Sequence, residues 1–407
     1  MAAMRTLVLS DLHLGCGGDP GIFAGGHALA EVLTRLAAQP LRVVLNGDTF
    51  DFLAQDGADD VAYALTRDPT NAAVLTALGR VIDRGGSLIV RGGRHDREVA
   101  LADVQAHIVR GLGTARATSW VWFHAGGAPS RCDVGGARVL VGQALPADWV
   151  GDAADDRELA QRLINPLRRQ FGVGLADLLR PHPTLAALAA VAVNPTAVKH
   201  VLRDLPGDAR AVVHRLQASR AFAQAGLTPR EEAVLVAAID PGVVLGIDAY
   251  DDGALRRARL KLLRASLREA APAGEHPRAL TTKEWASARA LARRDGASAV
   301  IFGQSHAVGW RADEGLVACD TGAWTWLVRS PPADESDEAW LAYLEQWQRA
   351  PRIDARLSGP PPTRLAFTGA LIEARAAGRG ARVALIEWRR DELVVLREQA
   401  VPAARGG

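Results

Sequence analysis

The sequence has little cysteine, no surplus of either charge and no long apolar run, and each lack removes a class of protein. Its three cysteines, Cys16, Cys132 and Cys319, are odd in number, widely spaced and without a C-x-x-C pair. That argues against a disulfide framework and fits a reducing compartment. The 48 basic and 46 acidic side chains leave a formal charge of +2, so composition carries no nucleic-acid or polyanion signal. The longest apolar stretches, near 184–193 and 233–247, are too short to span a bilayer or are broken by Asp240-Pro241-Gly242. No spanning helix is expected. Met1–Leu9 leads straight into a strand-like segment, with neither the apolar run nor the small-residue cleavage site of a signal peptide. The expected location is the cytoplasm. Oligomeric state is not legible.

What is present is the makeup of a globular chain. With 407 residues, 48% hydrophobic and 23% charged, it can bury a sizeable core as one domain with an insertion, or as two domains. In the first third, short apolar runs alternate with amphipathic stretches. Strands are expected at Thr6–Leu9, Leu41–Leu45 and Ser87–Val90, and helices at His27–Ala38 and Asn71–Asp83. This alternation predicts a layered α/β domain. Each strand ends in a polar, glycine-containing loop, the place where ligand sites gather in α/β sheets.

From about Ala147 the strand signals fade. Ala, Leu and Arg recur at helical spacing through Arg157–Phe171, Leu185–Leu205, Asp208–Ala225 and Leu255–Ala270. Strand character returns at Ala299–Phe302, Leu316–Cys319 and Trp324–Val328, with a helix at Glu338–Arg349 and a closing hairpin at Arg382–Trp388 and Glu392–Leu396. The expected organisation is an α/β core over 4–146 and 295–397, a helical insertion or cap over 147–294, and a disordered tail over 398–407.

Four motifs at strand ends carry chemistry. In Asp11-Leu12-His13, alternate residues of an extended loop bring one carboxylate and one imidazole toward a single cation. Gly47-Asp48 ends the second strand, where glycine permits a sharp turn and Asp48 adds a hard oxygen. His95-Asp96 follows the third, and His306 lies beyond Ala299–Phe302 in Gly303-Gln304-Ser305-His306. Mixed nitrogen and oxygen donors suit Mn, Fe, Co, Ni or Zn better than Ca.

In this order the motifs resemble the calcineurin-like metallophosphoesterase family, whose pattern is D-x-H, G-D-x-x-D, G-N-H-[DE], a lone His, then G-H-x-H. Asp11-Leu12-His13 matches the first and Gly47-Asp48-Thr49-Phe50-Asp51 the second, while Asp320-Thr321-Gly322-Ala323-Trp324-Thr325 is similar to the family's N-T-G-x-W-T turn. The resemblance spans roughly Met4–Ala147 and Asp295–Leu396, and within the family it looks closest to bacterial members related to UDP-diacylglucosamine hydrolases. It implies a β-sandwich flanked by helices. It also implies one metal held by Asp11, His13, Asp48 and His306, with His95 as the acid for the leaving oxygen and Asp51 holding a ligand in place.

Three departures fall on the second metal position. Arg94 replaces the asparagine ligand, Gln304 replaces the first histidine of the last motif, and Gly142-Gln143 stands where the lone histidine is expected. A guanidinium has no lone pair to give and repels a dication. It suits a phosphate clamp instead. His124, beside Trp122-Phe123, reads as part of a packed strand face.

Two alternatives stay open: a working one-metal phosphoesterase, and a degenerate member kept as a binding or assembly module. A phosphorylated small molecule or lipid head group is the implied partner. Arg257, Lys261, Arg264 and Arg268 form a stripe on one helix, read as a solvated face, with peripheral membrane contact as the other option. Cys16, just past the first motif, reads as a packed or oxidisable thiol rather than a ligand.

Overall fold

The computed structural model describes residues 4–14, 25–52, 69–125, 129–143, 145, 157–172, 174–179, 182–205, 209–243, 251–270, 276–303, 305–332, 334–349, 363–375 and 379–404. They form two compact units. One comprises Met1–Val150, Gly274–Trp326 and Leu365–Gly407, and the other Gly151–Ala273 and Leu327–Arg364.

The first unit is built on two sheets. In one, β1 (Arg5–Leu9), β2 (Leu41–Asn46), β3 (Ser87–Arg91) and β4 (Val121–His124) run parallel, and β12 (Thr363–Ala374), β13 (Ala381–Arg389) and β14 (Glu392–Val401) extend it beyond β1. The other has the order β5 (Ser130–Val134), β6 (Ala137–Val141), β8 (Ala299–Phe302), β10 (Leu316–Asp320), β9 (Gly309–Asp313), β7 (Arg278–Ala279). β11 (Trp324–Val328) pairs with β12.

Side-chain alternation makes the layers. Leu7, Leu9, Val43 and Leu45 pack with helices α1 (Gly26–Leu36) and α2 (Pro69–Asp83), while Val8 and Val44 turn inward. There they meet Val139, Val141, Ala299, Ile301, Val317 and Cys319 of the second sheet. The intervening Leu140, Val300 and Ala318 face outward and meet Trp285, Ala288 and Leu291 of α3 (Thr282–Asp295). Period-two patterning on strands buried on both faces thus produces a β-sandwich covered by helices. This is the layered α/β architecture expected from the sequence. Cys132 and Cys319 are buried free thiols, and Cys16 lies outside the described residues.

The unit boundaries differ from the expected ones in three places. Helix α3, placed by sequence in the insertion, belongs with the sheets because its apolar stripe covers the second one. Residues 327–364, assigned to the core, group with the helices, where Trp340, Tyr343, Leu344 and Trp347 are buried. The expected tail is ordered as far as Ala404: β14 runs to Val401, which is fully buried and pairs with Ala381.

In the helical unit, Pro183–Val193 is buried on nearly every side, as an all-apolar helix must be. Arg259 Nε donates to Ala192 O at 2.7 Å, and Gln348 Nε2 to Val193 O at 2.9 Å, meeting carbonyls that the helix end leaves open. The expected continuous helix over 185–205 is broken. Asn194 caps a new helix, Pro195–Arg203, bent 116° from the first, because Pro195 lacks the N–H needed to continue it. No single described helix is long and apolar enough to cross a membrane, although this bent pair passes by length and composition.

Three side chains of the basic stripe are paired within the unit. Glu231 receives Lys261 at 2.7 Å and Arg257 at 3.3 Å, and Arg264 pairs with Asp337 at 2.6 Å; Arg257 and Arg268 lie exposed, as a solvated face requires. Glu231 also closes a capping box with Thr228.

Two outcomes are expected. Ile301→Ala, at a fully buried inter-sheet position, loses about 2–5 kcal/mol in denaturant unfolding. Burial opposes the charge on Glu231, but Lys261 and the Thr228 backbone outweigh it and hold the carboxyl at about 2 against an ordinary 4.5. A depressed carboxyl contributes stability above its unfolded pKa and loses it as pH falls through the folded one. The gap in melting temperature between wild type and Glu231→Gln should therefore be steady above pH 4.5 and shrink toward pH 2.

Candidate metal centre

The loops after β1 and β2 prolong the pairing of their strands. Asp11 N donates to Gly47 O at 3.2 Å, His13 N to Asp48 O at 3.0 Å, Leu14 N to Thr49 O at 2.8 Å, and Asp51 N returns to Leu14 O at 3.1 Å. Following that course bends the backbone. Asp11, His13, Asp48 and His306 have φ of 52°, 48°, 49° and 57°. Among the described residues, the other non-glycine residues with positive φ are Glu314, Arg390 and Asp391, all in hairpin turns. The left-handed conformation costs a non-glycine residue about 1–2 kcal/mol, and it falls on the four residues expected as ligands. Strain of this kind persists where surrounding contacts over-determine it, typically at functional sites.

Asp96 secures the second loop. Its carboxylate accepts Gly93 N at 2.6 Å, Thr49 N at 2.8 Å, Asp48 N at 3.1 Å and Phe50 N at 3.2 Å. Burial and the charge of Asp48 push its pKa up to about 7, against these donors, which favour the ionised form. Asp96 therefore shapes the loop and is not a ligand. Gly303 lets β8 approach β1, since a Cβ there would sit 2.1 Å from Ser10 Oγ and 2.6 Å from Asp11 Oδ2. The loop bearing His306 is fixed by Ser305 Oγ on Asp320 at 2.5 Å and by Arg278 on Ser305 Oγ at 3.2 Å.

Three of the four expected ligands converge. His13 Nε2 and His306 Nε2 are 3.1 Å apart, and His306 Nε2 is 3.5 Å from Asp11 Oδ1. Donors held at about 2.0–2.2 Å in a tetrahedron lie about 3.3–3.6 Å from one another, so these spacings fit one transition-metal ion. All three residues are buried. Asp48, expected as the fourth, is adjacent through its backbone, but its Oδ1 accepts His95 N at 2.8 Å, and it does not join the convergent group.

Asp51, expected only as a support, stands in a second convergent group with His13 and His95. Its Oδ1 lies 3.4 Å from His95 Nδ1. Burial alone would lower the His95 pKa, but Asp48 and Asp51 outweigh it and hold the value above that of an ordinary histidine, with Arg94 opposing them. Arg94 is half-buried and near enough for its charge to act on His95. Gln304 lies outside the described residues. His124 corrects its sequence reading: it lies exposed on β4, the edge strand among the described residues, on the same face as Trp122 at 45% exposure, while the alternate Val121 and Phe123 are half-buried.

Gln143, read from the sequence only as standing where a histidine is expected, and Asn46, which carries no recognisable motif, both lie beside these loops. Gln143 is 2% exposed and lies against Gly47 and Gly93, and Asn46 Nδ2 donates to Gly142 O at 2.9 Å. The available signal was a polar residue after glycine at the end of a buried strand, the same pattern as Gly47-Asp48.

No protein-family model matches the chain, and no curated protein matches it. Among solved structures it is similar to a single mutant of Vps29 from Entamoeba histolytica, at 8% identity over 98% of this chain and 99% of that one, with a TM-score of 0.31. A double mutant of the same protein gives 8% identity over the same shares and a TM-score of 0.30. The phosphopantetheinyl hydrolase PptH from Mycobacterium tuberculosis gives 13% identity over 89% and 96%, with a TM-score of 0.25.

Gly93→Ala is expected to disrupt the centre. Its Cβ would fall 2.4 Å from Asp48 N and 2.2 Å from Asp48 Oδ1, and backbone must move to admit it. Elemental analysis after Mn loading should show less bound metal than in wild type, while far-ultraviolet circular dichroism keeps the α/β signature.

Proposed function

We propose that this protein is a metal-dependent hydrolase of a phosphoester or pyrophosphate bond, working with one divalent transition-metal ion. The observation that carries the reading is the convergence of Asp11, His13 and His306 on strained backbone, beside a buried His95–Asp51 pair. Asp48 stands next to the group, its Oδ1 accepting His95 N. Mn, Fe, Co, Ni and Zn all suit this donor set.

An ion held there supplies Lewis acidity at the phosphoryl group and strengthens water as a nucleophile. The remaining work falls to side chains of this chain. Arg94 offers a planar fork to two phosphoryl oxygens and offsets their charge. His95 keeps a proton for the leaving oxygen, and Asp51 orients the ring and stabilises its cationic form. The substrate class is a phosphorylated small molecule or a lipid head group. The motif resemblance to UDP-diacylglucosamine hydrolases is the ground for including pyrophosphates.

A second reading, a binding or assembly module with the catalytic machinery lost, draws on one observation: the Asp48 carboxylate is engaged with His95 N. Elemental analysis and turnover of bis-p-nitrophenyl phosphate with added Mn separate the two. The enzyme reading expects about one ion per chain. His95→Ala should lower turnover about 100-fold or more with ion content unchanged. One bound ion without turnover of any phosphoester supports the binding module, and absence of bound metal overturns both.

A further inference from the structure

One strand end at the centre has no role in the reading above. β6 is followed by Gly142-Gln143, and the Gln143 side chain is buried with its Nε2 lacking a hydrogen-bond partner among the described residues. The structure makes room for that amide. A Cβ on Gly47 would lie 2.7 Å from Gln143 Cδ, and one on Gly93 would lie 2.6 Å from Gln143 Nε2. The same point above Gly93 is 2.2 Å from Asp48 Oδ1, so amide and carboxylate are neighbours. The glycines of two separate motifs thus leave the space that Gln143 fills.

Its backbone is fixed from two directions. Asn46 Nδ2 holds Gly142 O at 2.9 Å from the end of β2, and Gly303 N donates to Gln143 O at 2.9 Å from the segment leading to His306. A buried N–H without an acceptor is unfavourable, and one kept in a native site calls for a partner such as a water, an ion or a bound ligand. Asp48 Oδ1 is already engaged by His95 N. Arg94 follows Gly93 in the chain, and its charge acts on His95. A buried amide donor suits an anion with several acceptor oxygens, such as a phosphoryl group.

We infer that Gln143 is a substrate-binding residue whose Nε2 donates to a phosphoryl oxygen, sharing the group with Arg94. The inference rests on the hydrolase reading and deepens it: on this side of the centre a phosphoryl group is held by hydrogen bonds instead of by a second ion. An amide presented the other way round would offer its oxygen to a cation, and the experiment separates these cases.

Mn is titrated calorimetrically into the full-length protein, and inorganic phosphate then into the Mn-saturated and the metal-free forms, for wild type, Gln143→Met and Gln143→Glu. Methionine keeps the length of the side chain and removes the donor. The expected result is unchanged Mn affinity and stoichiometry in Gln143→Met, with phosphate bound about tenfold or more weakly. Gln143→Glu, which retains the shape and adds a negative charge, should lose phosphate more severely. Phosphate affinity equal to wild type in either variant overturns the inference, as does a fall in Mn affinity in Gln143→Met, which would mark Gln143 as a metal ligand. Failure of wild type to bind phosphate in either form also overturns it. If wild type takes no Mn, the hydrolase reading falls, while dependence of phosphate binding on Gln143 in the metal-free form still upholds this assignment.

Discussion

The pairing of β1 with β2 does not stop where the strands stop. It continues through the hydrogen bonds of Asp11 and His13 to carbonyls of the neighbouring loop, and this continuation turns both residues, and Asp48, into the left-handed region. Without it each residue would relax to an ordinary conformation and direct its side chain elsewhere. Two polar loops are thereby locked into one rigid surface, on which side chains can be held to the tolerance that coordination demands. Asp96, drawing four backbone N–H groups together, is the second fastening of that surface.

The electrostatics of the region point the same way as its geometry. Asp11, Asp48, Asp51 and Asp96 are each no more than 3% exposed. Burying carboxylates is costly unless protons, donors or cations offset their charge. Backbone donors serve Asp96, and the His95 ring serves Asp51. Asp11 Oδ1 lies 3.5 Å from the imidazole of His306. A divalent cation is the natural complement of such a set.

Much of this was readable in the residues. The strands that flank the centre follow a period of two with both faces apolar, and the polar Asp11-Leu12-His13, Gly47-Asp48 and His95-Asp96 interrupt that pattern at their ends. What escaped reading has physical causes. β12, the longest strand and central in its sheet, is written in helix-forming letters, Ala-Leu-Ile-Glu-Ala, because burial on both faces erases alternation. Helix α3 has the same local signature as the helices of the other unit, and only tertiary contact with Leu140 and Val300 tells them apart. The nearness of Asp51 to His13 and His95, and of Gln143 to Gly47 and Gly93, was not legible, because distance from a partner remote in sequence is a property of the packing and no spacing along the chain encodes it.

The position of β12 also bears on how the molecule comes into being. It lies between β13 and β1, joining β1 to the β13–β14 hairpin. Until residues 363–374 are in place, β1 has one unsatisfied edge whose flanking side chains are Leu7, Val8 and Leu9. An apolar open edge is a template for mispairing, and more than 350 residues separate β1 from the strand that covers it. The sheet therefore depends on a pairing between strands far apart along the chain, the kind whose closure is slow.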